Sequence, residues 1–199
     1  QSGIMERLFT GIQQLLARLN GSLYLAVLIT ATIFAAATGI VGSSVTLLGV
    51  MAGPSMIKSG YDVRMSAGAI TAGGTLGILI PPSVMLIVMG PVVGVPATDL
   101  FAAAVLPGLL LSGIFIVWTL VRCWMNPALG PALPPQLRPK SLGPVLLDLA
   151  VGVLPVIVVI MATLGVILFG IATPTDAGAI GCAATFVLTV GSGRMSWAK

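Results

Sequence analysis

Apolar stretches of unequal length alternate with short polar breaks along this chain, and their lengths are the first guide to its architecture. In the opening segment Ile4, Leu8, Ile12, Leu15, Leu16 and Leu19 recur at helical spacing, while Arg7, Gln14 and Arg18 share another face. That period predicts an amphipathic arm helix over residues 1–20, lying in a membrane interface or packed as a linker on neighbouring protein. Gly21 ends it. From Ser22 to Ile57 no charged residue occurs. One crossing needs about 20 apolar residues, so this run is too long for one span and short for two. Its middle, Thr38-Gly39-Ile40-Val41-Gly42-Ser43-Ser44, is small and hydroxylic and weakens a continuous helix. The pattern predicts a re-entrant helical hairpin over 21–58 that enters the membrane, turns at this tip and leaves on the same side. Backbone groups at such a tip must be buried in protein or line a wet cavity.

Residues 59–125 read as a broken transmembrane helix and a following span. The apolar run from Arg64 to Val95 is interrupted by Gly73-Gly74-Thr75-Leu76-Gly77-Ile78-Leu79-Ile80-Pro81-Pro82-Ser83. Pro82 drives Pro81 out of helical dihedrals, and neither proline has an N–H to give to a carbonyl one turn earlier. Thr98 is expected to cap the span Asp99–Cys123, with a kink at Pro107-Gly108. A proline-rich cytoplasmic linker is expected over 126–142. Two further spans and a cytoplasmic tail fill 143–199, where Thr173, Pro174 and Asp176 have the order of a capped helix start. The fold class expected is all-α and integral to the membrane, with a re-entrant hairpin and discontinuous transmembrane helices.

Composition agrees, with hydrophobic residues at 57% and charged residues at 7%. A soluble domain carries about 25% charged residues, so lipid is the expected solvent. The net charge of +4 does not imply nucleic acid, because the basic residues are dispersed and form no patch. They fall instead in the arm, the Lys58–Arg64 loop, the Arg122–Lys140 linker and the Arg194–Lys199 tail, which the hairpin topology puts on one side. The opposite turns hold Asp99 and Asp176. That asymmetry makes the basic side cytoplasmic. Trp118, Trp124 and Trp197 suit interfacial anchoring. Cys123 and Cys182 lack metal-ligand spacing and read as packing residues.

The chain contains no histidine, which removes imidazole catalysis, imidazole proton relays and the usual zinc sites. An intramembrane enzyme would need a polar catalytic pair within the spans, and none is evident; no enzymatic activity is expected. Transporters hold substrate and ions near mid-membrane at discontinuous helices, whose free carbonyls take cations and whose N-termini favour anions. Glu6, Asp62, Asp99, Asp148 and Asp176 fall in the arm, loops or span ends. Carbonyls hold sodium but cannot titrate, so sodium rather than a proton is the expected coupling ion. A passive channel or a structural membrane scaffold are the alternatives.

The run Ala72 to Ser83 resembles the signature of the large membrane subunit of tripartite ATP-independent periplasmic (TRAP) transporters. Lys58-Ser59-Gly60-Tyr61-Asp62 and Gly170-Ile171-Ala172-Thr173-Pro174-Thr175-Asp176-Ala177 resemble further family segments in the expected order. The resemblance implies part of an elevator transporter of the bacterial inner membrane, driven by sodium and importing small organic acids. It implies two partners besides membrane lipid, a small membrane subunit and a periplasmic solute-binding protein. The second hairpin of such a permease is expected outside these residues. An ungapped count back from Gly60-Tyr61-Asp62 puts Thr38-Gly39 under the family's Ser-Gly at the tip. Val41 then replaces a family serine and Ser44 stands near a family acidic position, departures that favour main-chain over side-chain ligands. The expected sodium site is Thr38, Gly39, Val41 and Gly42 from the tip facing Gly77, Ile80 and Pro82 from the break. Ser43 and Ser44 are the candidates for substrate contact. No organic cofactor is expected.

Overall fold

In a computed structural model that describes residues 4–133 and 142–191, helices account for the regular structure and no strand occurs among the described residues. Arg138 and Lys140 of the linker, and Arg194, Trp197 and Lys199 of the tail, lie outside them. The arm helix α1 spans Ile4–Leu15 and stops short of the expected Asn20, giving way to turns that run up to Gly21. It buries Leu8, Phe9 and Ile12, while Leu15 and Leu19 stay exposed. Leu149 packs on Gly11 and Leu8 packs beside Gly152, so the arm lies on protein through glycines that admit close approach.

Ser22–Thr38 forms α2 and Val41–Lys58 forms α3, separated only by Gly39 and Ile40. The expected tip is therefore narrower than its composition suggested, because Val41, Gly42, Ser43 and Ser44 belong to α3. The chain does fold back on itself. Tyr61, just past α3, accepts a hydrogen bond at its hydroxyl from the Leu23 amide at 3.2 Å. Leu48, Ala52 and Met56 of α3 share one core with Leu23, Tyr24, Val27 and Ala31 of α2.

Helix α4 (Val63–Leu79) is capped by Asp62, whose side chain accepts from the Met65 amide at 2.8 Å. After the Ile80–Ser83 interruption, α5 (Val84–Val93) continues at an angle of 43° to α4. Helix α6 (Ala97–Met125) returns as one element, long and apolar enough to cross a membrane, with Pro107 inside it. Pro96, not Thr98, occupies its N-cap; the Thr98 hydroxyl bonds only the neighbouring Asp99 carboxylate. Single prolines also lie within α3 and α5, at Pro54 and Pro91. One missing donor is tolerated in a membrane helix. Two adjacent prolines remove two donors together, and only there does the run from Val63 to Val93 break.

The rest comprises α7 (Leu142–Ile160), a π-helical turn Met161–Gly165, α8 (Val166–Leu168) and α9 (Pro174–Gly191). Gly143–Leu168 forms a second rod long enough to span. Thr173 and Asp176 close the start of α9 as expected: the Thr173 hydroxyl donates to the Asp176 carboxylate at 2.6 Å and accepts from its amide at 3.3 Å. Large apolar side chains on the outer faces, including Val92, Leu106, Trp124 and Phe186, remain exposed. Such surface suits lipid or partner protein rather than water.

A knot of hydrogen bonds ties the basic ends together. The Tyr24 hydroxyl donates to the Leu129 carbonyl at 2.7 Å, with the Asp62 carbonyl alongside at 3.3 Å. The Asp62 amide also reaches Leu129, the Gly21 amide donates to Gly130 at 2.8 Å, and the Leu133 amide donates to Ala17. Arm, hairpin base and the start of the linker thus lie on one side, the side carrying Lys58, Arg64 and Arg122. The Arg122 guanidinium sits 5.7 Å over the Trp118 ring, an arrangement suited to an interfacial end. Tyr24→Phe keeps the ring and removes the donor, so it should lower stability by about 1 kcal/mol. A reduced melting temperature of the detergent-solubilised protein would register it.

Candidate functional site at the meeting of two helix interruptions

Glycines on one face of α4 let it lie in the groove of the hairpin. A Cβ at Gly73 would stand 2.9 Å from Ala31 Cβ of α2, and one at Gly74 would collide with Val45 of α3. One turn further on, a Cβ at Gly77 would come within 3.4 Å of the Ile40 nitrogen and 3.6 Å of its carbonyl oxygen. Climbing this face leads from the middle of the hairpin to its tip.

There the two interruptions touch. Gly39 has a φ of 62°, a left-handed conformation that glycine adopts without strain. A Cβ at Gly39 would overlap the Pro82 carbonyl oxygen and lie 3.2 Å from Ser83 Cα. Ile80 is buried with Ala35 and Leu76, against Leu111 and Phe115 of α6. A Cβ at Gly108 of α6 would be 2.9 Å from the Ile80 side chain. At about 1.5 Å per residue, Gly108 stands roughly 16 Å from one end of α6 and roughly 26 Å from the other. A hydrocarbon core about 30 Å thick, centred on that helix, encloses the contact.

Four helix ends meet at this junction. Helices α2 and α4 finish here and present their negative carbonyl ends; α3 and α5 begin here and present positive amide ends. Neither Ile40 nor Ser83, the two N-cap residues, makes a side-chain cap bond. The carbonyls of Gly77 and Ile78 face prolines four residues on, so the usual helical donors are missing. Among the described residues no cluster of His, Cys, Asp or Glu could hold a metal ion. Neutral oxygens of this kind suit a hard monovalent cation better than a transition metal.

Of the residues selected from the sequence, Gly39, Gly77 and Pro82 are brought into this contact, and Ile80 is the buried C-cap between α4 and the prolines. Thr38 ends α2, its hydroxyl donating to the Phe34 carbonyl at 3.0 Å. Val41 is the first residue of α3. Gly42, the second residue of α3, is exposed, with nothing within 4 Å of its Cβ position, and its carbonyl accepts from the Thr46 hydroxyl. Ser43 and Ser44 both donate to the Ile40 carbonyl, at 3.2 and 2.8 Å, and Ser44 is buried. Ile40, Ser83 and Gly108 also take part in the contact, beyond the residues expected from the sequence. Serine after Pro-Pro at the start of an apolar run is a capping signal that could have marked Ser83. The bond between Thr32 of α2 and Ser112 of α6, 2.6 Å long, is a further polar tie beside the junction that the sequence did not pair.

Interrupted helices that meet level with the middle of a span-length apolar helix fit one class, that of polytopic α-helical membrane proteins. The chain belongs to the family described as the tripartite ATP-independent periplasmic transporter, DctM component, whose family model matches residues 1–199. It is 31% identical over 204 residues to the C4-dicarboxylate TRAP transporter large permease protein DctM of Rhodobacter capsulatus, covering 94% of this chain and 44% of that protein. It is 28% identical over 201 residues to the 2,3-diketo-L-gulonate TRAP transporter large permease protein YiaN of Escherichia coli K12, covering 98% of this chain and 45% of that one. A shorter match, 36% over 115 residues, joins 58% of the chain to 27% of the DctM protein of Pseudomonas aeruginosa. The chain thus spans less than half the length of these curated relatives. The resemblance read from its sequence is borne out at the level of the family.

Proposed function

We propose that these residues form part of the large permease of a sodium-coupled importer of small organic acids in the bacterial inner membrane. A periplasmic solute-binding protein delivers the solute, and a small membrane subunit accompanies the permease. The observation that carries this reading is the abutment of Gly39 on Pro82, which joins the tip of a hairpin to the broken point of a span.

Carbonyls freed at the two breaks supply a neutral oxygen shell for sodium, and the C-terminal ends of α2 and α4 reinforce it. The starts of α3 and α5 favour the opposite charge, that of a carboxylate. An ion and an acid could therefore occupy neighbouring places and stabilise each other, which is the physical content of symport. Hairpin and broken helix interlock through Gly73, Gly74 and Gly77, so they are suited to move as one unit in an elevator cycle. The names of the relatives, which specify a C4-dicarboxylate and 2,3-diketo-L-gulonate, support the class of solute.

The test is uptake by the full-length permease, reconstituted in liposomes with its small subunit and binding protein. A panel of labelled organic acids beginning with C4-dicarboxylates serves as the probe. Uptake should saturate, require an inward sodium gradient and vanish when potassium replaces sodium. Flux that rises without saturation and ignores the sodium gradient would identify a channel instead.

A further inference from the structure

Among the described residues two buried hydroxyls have no hydrogen-bond partner, those of Thr30 and Ser83. Thr30 lies more than two helical turns before the hairpin tip. Ser83 lies at the junction itself.

Serine at an N-cap ordinarily accepts from an amide in the first turn of its own helix. Ser83 is the N-cap of α5, with extended backbone angles that suit a cap, yet its side chain makes no such bond. It is fully buried, so no solvent compensates the hydroxyl. A buried polar group left unpaired loses the hydrogen bonds that water gave it. Its surroundings are specific: Ser83 Cα faces Gly39 at the tip, and the adjacent Pro82 carbonyl oxygen faces the same glycine.

Burial decides the size of an occupant. A carboxylate attached to a solute cannot reach a side chain with no exposed surface while the tip stays closed. The positive end of α5 alone would favour an anion. The Pro82 carbonyl oxygen at the same contact, together with the negative end of α4 that closes on the prolines, repels one and attracts a cation, and a hydroxyl oxygen can join that carbonyl as a further ligand. We propose that the Ser83 hydroxyl is a side-chain ligand of the cation held between the hairpin tip and the Pro81-Pro82 break, and that it sets sodium affinity. This rests on the sodium reading above. It adds a side-chain donor to a site otherwise built from main chain.

Sodium binding can be read without transport, because a ligand that binds the folded state raises the melting temperature. The full-length permease, purified with its small subunit, is melted across a sodium chloride series with choline chloride holding ionic strength. In Ser83→Ala the sodium concentration giving half the stabilisation should rise about tenfold, whereas Ser83→Thr, which keeps the hydroxyl, should stay within about twofold of wild type. Ser83→Cys should resemble alanine, since sulfur is a poor ligand for a hard cation. It also provides a second readout if the alanine variant does not fold. A purely structural role would lower the melting temperature without sodium and leave the half-effect concentration unchanged. An unchanged sodium titration in Ser83→Ala or Ser83→Cys, beside a responsive wild type, would overturn this inference and spare the sodium reading. A wild type that melts alike in sodium and choline would overturn both.

Discussion

Gly39→Ala in the full-length permease should abolish sodium-driven uptake, although it adds only one methyl group. Two effects act at this position. The left-handed backbone, with φ at 62°, costs an L-residue about 1–2 kcal/mol. The larger effect is steric, because the new Cβ would overlap the Pro82 carbonyl oxygen and press on Ser83 Cα. Those are backbone atoms, with no flexible side chain to swing aside. Relief requires the tip to withdraw from the break, which separates the oxygens proposed to hold the ion. Gly60 supplies the control. Its φ is 74°, equally left-handed, but nothing lies within 4 Å of its Cβ position. Gly60→Ala should therefore lower stability by about 1–2 kcal/mol while leaving the half-saturating sodium concentration at the wild-type value. Gly39→Ala that transports with normal sodium dependence would show that the contact is not needed.

The second large effect is expected at Gly77, where the size of the substituent decides the outcome. The nearest atoms to a Cβ there are those of the Ile40 backbone, at 3.4 to 3.6 Å, which is ordinary contact. Gly77→Ala should be tolerated, with sodium dependence within about threefold of wild type and a small gain from helix propensity of up to 1 kcal/mol. Gly77→Val adds two branched methyls whose rotamer is largely fixed in a helix. They have to displace Ile40, an overpacking that costs about 1–3 kcal/mol and falls on the tip. The half-saturating sodium concentration should rise by at least about tenfold for each 1.4 kcal/mol that reaches the ion. Uptake assays of the two variants at graded sodium separate a site from a scaffold. If the protein were only a scaffold, valine would leave sodium dependence intact once expression is matched.

The hairpin and the broken helix were legible because both follow from strong local rules. A run too long for one crossing must turn, and two adjacent prolines stop a helix from propagating. The order of hairpin and crossings then put the basic ends on one side, and the knot around Tyr24, Asp62, Leu129 and Gly130 accords with it. Less legible was the width of the tip. Val41 to Ser44 look like turn residues, yet they start α3, with the Ser43 and Ser44 hydroxyls bonded back to the Ile40 carbonyl. That bonding is local, the habit of serine within a helix, and it occupies hydroxyls that the sequence offered to a substrate.

Contacts between distant segments were harder still. Nothing local indicates that Gly108 rests on Ile80, or that Ser112 bonds Thr32. In each case a small or hydroxylic residue inside an apolar run is compatible with many neighbours. The π-helical turn at Met161–Gly165 was also hidden, since it depends on packing; Thr163 there lies so near Gly181 of α9 that a Cβ on the glycine would collide with it. Pro96 rather than Thr98 begins α6 because a fixed φ suits a helix start as well as a capping hydroxyl does. Ser83 carries the most instructive lesson: its residue type promised a cap, and only three-dimensional placement revealed the hydroxyl to be unpartnered.

A high-resolution map of the full-length permease, recorded once in sodium and once with choline in its place, is the most direct measurement. Density for an ion should appear between the carbonyls around Gly39 and those around Gly77 and Pro82 in sodium, and disappear in choline. Identical maps with no ion at the junction, or a tip held away from the break by lipid-facing packing, would contradict a cation site built from two interrupted helices.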